Sequence, residues 1–144
     1  MIIPDVNLLL YAHLTAFAEH ERARVWWKEL LDGSKAVGLS PIAIFGFVRM
    51  STNRRMVRQP FGVETAAELI ESWLERPQVE LIHPGPRHVE TTLRLLREVG
   101  TAGDLTTDAQ LAALAIENQA ELHSADTDFA RFSGLRWVNP LKRK

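Results

Sequence analysis

An α/β fold is the prediction here, with a mostly parallel central sheet flanked by helices. Two observations carry it. Short apolar runs of strand length recur at 2–3, 36–40, 79–82, 121–124 and 135–138. Between them lie longer stretches whose apolar residues repeat at helical spacing. Parallel neighbours can be joined only through a crossover, so strands alternating with helices point to a parallel sheet. The chain of 144 residues, 46% hydrophobic and 24% charged, suits one packed core. A single domain over residues 1–144 is therefore expected.

In chain order, Ile2-Ile3 before Pro4-Asp5 reads as a buried strand ending at a turn. "VNLLLYA" then starts a helix that Asp5 or Asn7 can cap. Ala23, Trp26, Trp27, Leu30 and Leu31 mark an amphipathic helix over about 19–32, stopped by Gly33. "AVGLS" is the second strand. Ser40 and Pro41 form a helix entry, with serine as N-cap and proline at the first position. The helix "IAIFGFVRM" is apolar on nearly every face and expected to be buried. Gly46 in its middle costs roughly 1 kcal/mol against alanine, which calls for a reason. Residues 52–62 are basic and polar, hold Pro60 and Gly62, and read as a loop or irregular helical end.

Val63, Ala66, Ala67, Ile70, Trp73 and Leu74 mark the next helix, followed by "VELI" as a strand. Pro86 opens a helix whose expected buried face is Val89, Leu93, Leu96 and Val99. Residues 100–103 interrupt it. "TTDAQLAALAIEN" is a helix with Thr106 or Thr107 as cap, "ELHS" a strand, "DTDFARF" a short helix and "LRWV" a last strand. Trp26 and Trp27 are adjacent, so one of the two is expected to cover a partner surface.

Composition removes several classes of function. The absence of cysteine excludes disulfides, thiolate metal sites and cysteine nucleophiles. A net charge of −1 gives no global pull toward nucleic acid, so such contact needs a local basic patch. The apolar stretch 36–48 is too short to cross a bilayer, and the first residues lack the basic start of a signal peptide. A cytoplasmic location is expected. The five histidines lack metal-ligand spacing, and no G-x-S-x-G turn or glycine-rich phosphate loop occurs.

Four aspartates stand at the edges of the apolar segments: Asp5, Asp108, Asp126 and Asp128. Helix capping accounts for any one of them alone. Two features exceed it. Asp126 and Asp128 lie two apart, where one cap suffices and a second carboxylate adds repulsion. Asp5 follows an Ile-Ile pair on what should be the central strand. Sites of open α/β sheets form beyond the carboxyl ends of the strands, where these residues can meet. Carboxylates crowded beside apolar residues are unfavourable unless a cation compensates them. Oxygen-only ligands suit Mg²⁺ or Mn²⁺, and such sites commonly serve phosphoryl transfer. A phospho-acceptor aspartate is disfavoured, because "ELHSADTDF" offers no lysine to hold the phosphoryl group.

The stretches "DVNLLLYA", "TTDAQLAALA" and "ELHSADTDFARFSGLRWVNPL" occur in the order of the acidic motifs of PIN-domain ribonucleases. The chain resembles that family nearly end to end, and specifically VapC-type toxins of toxin–antitoxin pairs. The resemblance implies a PIN-like three-layer sandwich and a Mg²⁺- or Mn²⁺-dependent endoribonuclease neutralised by a VapB-type antitoxin. It also implies a homodimer. Carried over, Asp5, Asp108 and Asp126 become metal ligands, with Asp128 as a further ligand or supporting acid. Asn7 and Ser124 become polar groups near metal or phosphate.

One position departs from the pattern. Many family members carry a glutamate on the helix after the second strand, where this chain has Gly46. No acid occurs between Asp32 and Glu64. The departure leaves several alternatives: a site with one metal rather than two, water in place of the missing ligand, or an RNA- or partner-binding module with weak or no cleavage. Close backbone packing is the competing reason for the glycine. Arg49, Arg54, Arg55 and Arg58 form a basic cluster that suits RNA phosphates or acidic partner residues, with Arg49 best placed as one turn from Gly46. The tail Lys142-Arg143-Lys144 reads as a frayed end. His123 reads as a structural histidine, while His13 and His20 flank the first interhelical loop and could line a site mouth.

Overall fold

The computed structural model describes residues 1–142. Five short strands form one sheet: β1 (Ile2–Pro4), β2 (Val37–Leu39), β3 (Val79–Leu81), β4 (Glu121–His123) and β5 (Arg136–Val138). Their order is β3-β2-β1-β4-β5, and every pairing is parallel. The connections are α1 (Val6–His13) and α2 (His20–Asp32), then α3 (Pro41–Ser51) and α4 (Val63–Leu74). They are followed by α5 (His88–Val99) and α6 (Leu105–Glu117), and by a 3₁₀ turn at Thr127–Arg131. Right-handed crossovers step from β1 through β2 to β3 in one direction, which puts α1 to α4 on one face. The return from β3 to β4 puts α5 and α6 on the other. Helix α1 packs on α2 and α3, α3 on α4, and α5 on α6. The predicted α/β architecture is the one observed.

The central strand is buried on both sides, which is why it reads as Ile-Ile without alternation. Ile3, Val37, Leu39 and Leu122 are fully buried, and Ala109 to Ala115 of α6 pack behind them. The small alanines let α6 lie close to the sheet. Ser40 caps α3 by accepting from the Ala43 N–H at 3.2 Å, with Pro41 at the first helical position as expected.

Several expectations need correction. Trp26 and Trp27 are both buried, so neither covers a partner surface. The Trp26 indole N–H donates to His123 Nδ1, and Trp27 meets Trp73 edge-on. Phe45 of the apolar helix is 67% exposed. Val63 and Leu74 of α4 also face outward, although Ala66, Ile70 and Trp73 are buried as expected. On α5 the buried positions are Thr92 and Leu95, while Val89 and Leu93 are exposed. Helix α6 begins at Leu105 after Asp104, so Thr106 and Thr107 lie inside its first turn rather than capping it. Of the predicted frayed tail, Arg143 and Lys144 lie outside the described residues. Among the described residues, no helix is long and apolar enough to cross a membrane.

Candidate metal centre

Three elements deliver acids to the carboxyl edge of the sheet. Asp5 ends β1 and caps α1, and Asp126 follows β4 and caps the 3₁₀ turn that carries Asp128. Asp108 lies in the first turn of α6, the helix that feeds β4 from the opposite direction. Carboxylate oxygens of Asp108, Asp126 and Asp128 come within 4.8 Å of one another. Asp5 stands outside that trio as a group of mutually close oxygens but adjoins it, and its charge acts on Asp108.

Asp5 is only 6% exposed and is held by three bonds. Its backbone N–H donates to the His123 carbonyl at 2.9 Å. The Val6 N–H donates to Oδ1 at 2.7 Å, and the Ser124 hydroxyl donates to Oδ2 at 2.7 Å. Ser124 is fully buried and links the acids: its Oγ also accepts from the Asp126 N–H at 3.0 Å and from Asn7 Nδ2 at 3.4 Å. The Trp137 indole N–H fixes the Ser124 carbonyl at 3.0 Å. Asp126 Oδ1 in turn accepts from the Asp128 N–H at 2.9 Å. Capping and clustering are therefore the same arrangement: two of the four acids cap an element and still reach the group.

The electrostatics show what the cluster lacks. Burial, followed by the charges of Asp5, Asp126 and Asp128, pushes the Asp108 carboxyl up to about 7. Burial also raises Asp5, against the opposing hydrogen bonds from Ser124 and Val6. Among the described residues no basic side chain pairs with any of the four. Asn7 Oδ1 is buried without a hydrogen-bond partner. An uncompensated set of hard oxygen donors with an orphaned buried acceptor fits a divalent cation such as Mg²⁺ or Mn²⁺.

A PIN domain family model matches residues 2–135. The chain belongs to the PIN-domain family. Ribonuclease VapC33 of Mycobacterium tuberculosis (strain ATCC 25618 / H37Rv) is 49% identical over 142 residues, 99% of each chain. Ribonuclease VapC37 of the same strain is 39% identical over 97% of each. Among solved structures, VapBC-1 from nontypeable Haemophilus influenzae superposes with a TM-score of 0.70 at 18% identity, covering 99% of this chain and 100% of that one. The structure of Mycobacterium tuberculosis VapC20, a sarcin-ricin loop cleaving toxin, gives 0.69 at 18%, covering 94% and 99%. At those identities the superpositions establish the shared PIN fold.

Within this PIN fold the remaining predicted residues separate clearly. Asn7 and Ser124 are at the cluster. Arg49, Arg54, Arg55 and Arg58 are exposed, and none has an acidic partner among the described residues. Their loop closes on itself where the Phe61 N–H donates to the Ser51 carbonyl at 2.8 Å. His123 is structural: Trp26 donates to Nδ1, so Nε2 carries the proton and donates to Glu121 at 3.1 Å. Burial lowers its pKa and favours this neutral form. His13 and His20 bond to the carbonyls of Leu9 and Tyr11 and take no part in the cluster. Tyr11, one turn beyond Asn7 on α1, packs edge-on against Phe17, and burial is the main cause that raises its phenol pKa.

Proposed function

We propose that this PIN-family chain is a Mg²⁺- or Mn²⁺-dependent endoribonuclease toxin, working in the cytoplasm and neutralised by a VapB-type antitoxin. The observation that carries the reading is the unpaired acid cluster, in a chain 49% identical over 99% of its length to a protein named a ribonuclease. Asp5, Asp108 and Asp126 hold the cation, and Asp128 completes the group from the exposed side. A carboxylate has about four lone-pair sites, so Asp5 retains acceptor capacity beyond its bonds to Val6 and Ser124. Asp108, raised to about 7, would have to be ionised to hold a cation, and Asn7 Oδ1 is free to accept from water or a sugar hydroxyl. A bound divalent cation supplies acidification of a water and neutralisation of charge on the phosphate. Arg49 orients the RNA phosphate, with the whole chain acting as one unit.

Solved structures of such toxins include VapBC2 from Rickettsia felis bound to a promoter DNA fragment, with a TM-score of 0.66 and 19% identity, covering 96% of this chain and 98% of that one. An antitoxin and a second copy of the chain are the partners we assign. Exposed Phe45, Val63 and Leu81, beside Ile44 and Ile70, supply apolar surface for such an association.

The test is incubation of purified, antitoxin-free protein with total RNA and Mn²⁺, with and without EDTA, beside Asp5→Asn. Discrete fragments are expected only for the unsubstituted protein with metal. Fragments that persist in EDTA and in Asp5→Asn, or no fragments at all, overturn the proposal.

A further inference from the structure

Gly46 lies where α3 crosses the first turn of α1. A Cβ built on it would stand 2.7 Å from Val6 Cγ2 and 3.4 Å from Val6 Cγ1, with Val6 Cβ next at 3.7 Å. Carbon atoms in contact normally sit about 3.5–4.0 Å apart, so the first of these distances is a clash. Valine in a helix holds one strongly preferred rotamer, which leaves the side chain little room to swing aside. Relief then comes from shifting α3 and the first turn of α1 against each other. That turn begins with the Val6 N–H that holds Asp5 Oδ1 at 2.7 Å. The other Asp5 oxygen is tied to Ser124, which also receives the Asp126 N–H.

We infer that Gly46 is a positioning residue for the acid cluster: the bare glycine lets α3 close onto Val6, and this contact keeps Asp5 seated against Ser124. The glycine is thus part of how this site is built rather than a ligand that has been lost. A glutamate placed at 46 has to push α1 before it can reach a cation. The inference rests on the proposed role of Asp5 as a metal ligand.

The test is Mn²⁺ titration of the metal-free, full-length protein by calorimetry, with thermal unfolding in EDTA reporting fold integrity separately. Gly46→Ala is expected to weaken Mn²⁺ binding by about tenfold or more, as loss of a supporting contact does at metal sites. Combining it with Val6→Ala removes the clashing Cγ2 methyl, and affinity should return to within about threefold of Val6→Ala alone, a difference of about 0.7 kcal/mol. Gly46→Glu should weaken binding as well. Gly46→Ala binding as tightly as wild type overturns the inference, and so does Gly46→Glu binding more tightly. If Gly46→Ala does not fold, the double variant decides: a folded Val6→Ala/Gly46→Ala protein that binds Mn²⁺ more than about threefold more weakly than Val6→Ala alone also overturns it. Asp5→Asn separates the two readings. Unchanged Mn²⁺ affinity there removes the assigned role of Asp5 and this inference with it. Lost affinity in Asp5→Asn beside intact affinity in Gly46→Ala removes this inference alone.

Discussion

Ser124 does more at the site than its size suggests. One buried hydroxyl donates to Asp5 and accepts from the backbone of Asp126, so it sets the distance between two acids that are 121 residues apart in the chain. Ser124→Ala removes the donor while leaving the fold's apolar contacts in place. Metal affinity should fall by about 10–100-fold, the usual cost of removing an outer-shell partner. Calorimetric Mn²⁺ titration measures this, and an affinity equal to wild type would show that Asp5 needs no such anchor. Asp108 gives a second prediction through its proton. Its folded carboxyl titrates at about 7 against an ordinary value of 3.8. With the folded value raised, the native state binds the proton more tightly than the unfolded chain. The stability this confers is full below the unfolded value and is lost as pH rises through the folded one. In EDTA, the melting temperature should therefore decline from about pH 4 to about pH 8, and Asp108→Asn should flatten the decline. Added Mn²⁺ should reverse it by binding the ionised cluster. A wild-type decline matched by Asp108→Asn would assign it to other groups.

Helices place these residues, and the junction of β2 with α3 illustrates how. Ser40 is fully buried and supplies the cap of α3, the helix that brings Gly46 to Val6. Ser40→Ala should lower stability by about 1 kcal/mol, the typical value for a lost N-cap, as read from urea unfolding. A cost indistinguishable from zero would mean that packing alone starts the helix. At this scale the sequence was legible where residue chemistry is local. The serine-proline entry to α3, the five strands and the acids at the sheet's carboxyl edge follow from short patterns. It was not legible where orientation depends on neighbours. Helix α5 carries apolar residues at Val89, Leu93, Leu95, Leu96 and Val99, enough for two overlapping stripes. Contact with α6 selects the one through Thr92 and Leu95. Helix α3 is apolar all round, and periodicity could not show that Phe45 faces outward while Phe47 is fully buried. The Gly46–Val6 approach was equally hidden, because it joins positions forty residues apart with no pattern of their own. The close contact with Val6 is a property of the packed helices and leaves no trace in the sequence around Gly46.

For the molecule as a whole, a net charge of −1 conceals an uneven distribution. Arg24, Arg76 and Arg94 are paired with acids, as is Lys28, whereas Arg54, Arg55 and Arg58 follow α3 with no acidic partner among the described residues. No acid lies between Asp32 and Glu64 in the sequence, so the nearest acid along the chain is six residues beyond Arg58. A bound polyanion would find in this loop exposed cations without acidic partners. The energy of such contacts comes from counterion release and so appears in salt dependence rather than in a single affinity. Single-stranded RNA binding, measured by fluorescence anisotropy with the Asp5→Asn protein so that substrate survives, should weaken steadily with added salt. Each neutralised phosphate contributes a slope of about −0.7 in log affinity against log salt, so replacing the three arginines by alanine should flatten the slope by about 2. An unchanged slope would remove the loop from the RNA path and leave its charge to acidic residues of the antitoxin. In that case the same triple variant should lose antitoxin affinity at low salt while cleaving free RNA at the wild-type rate.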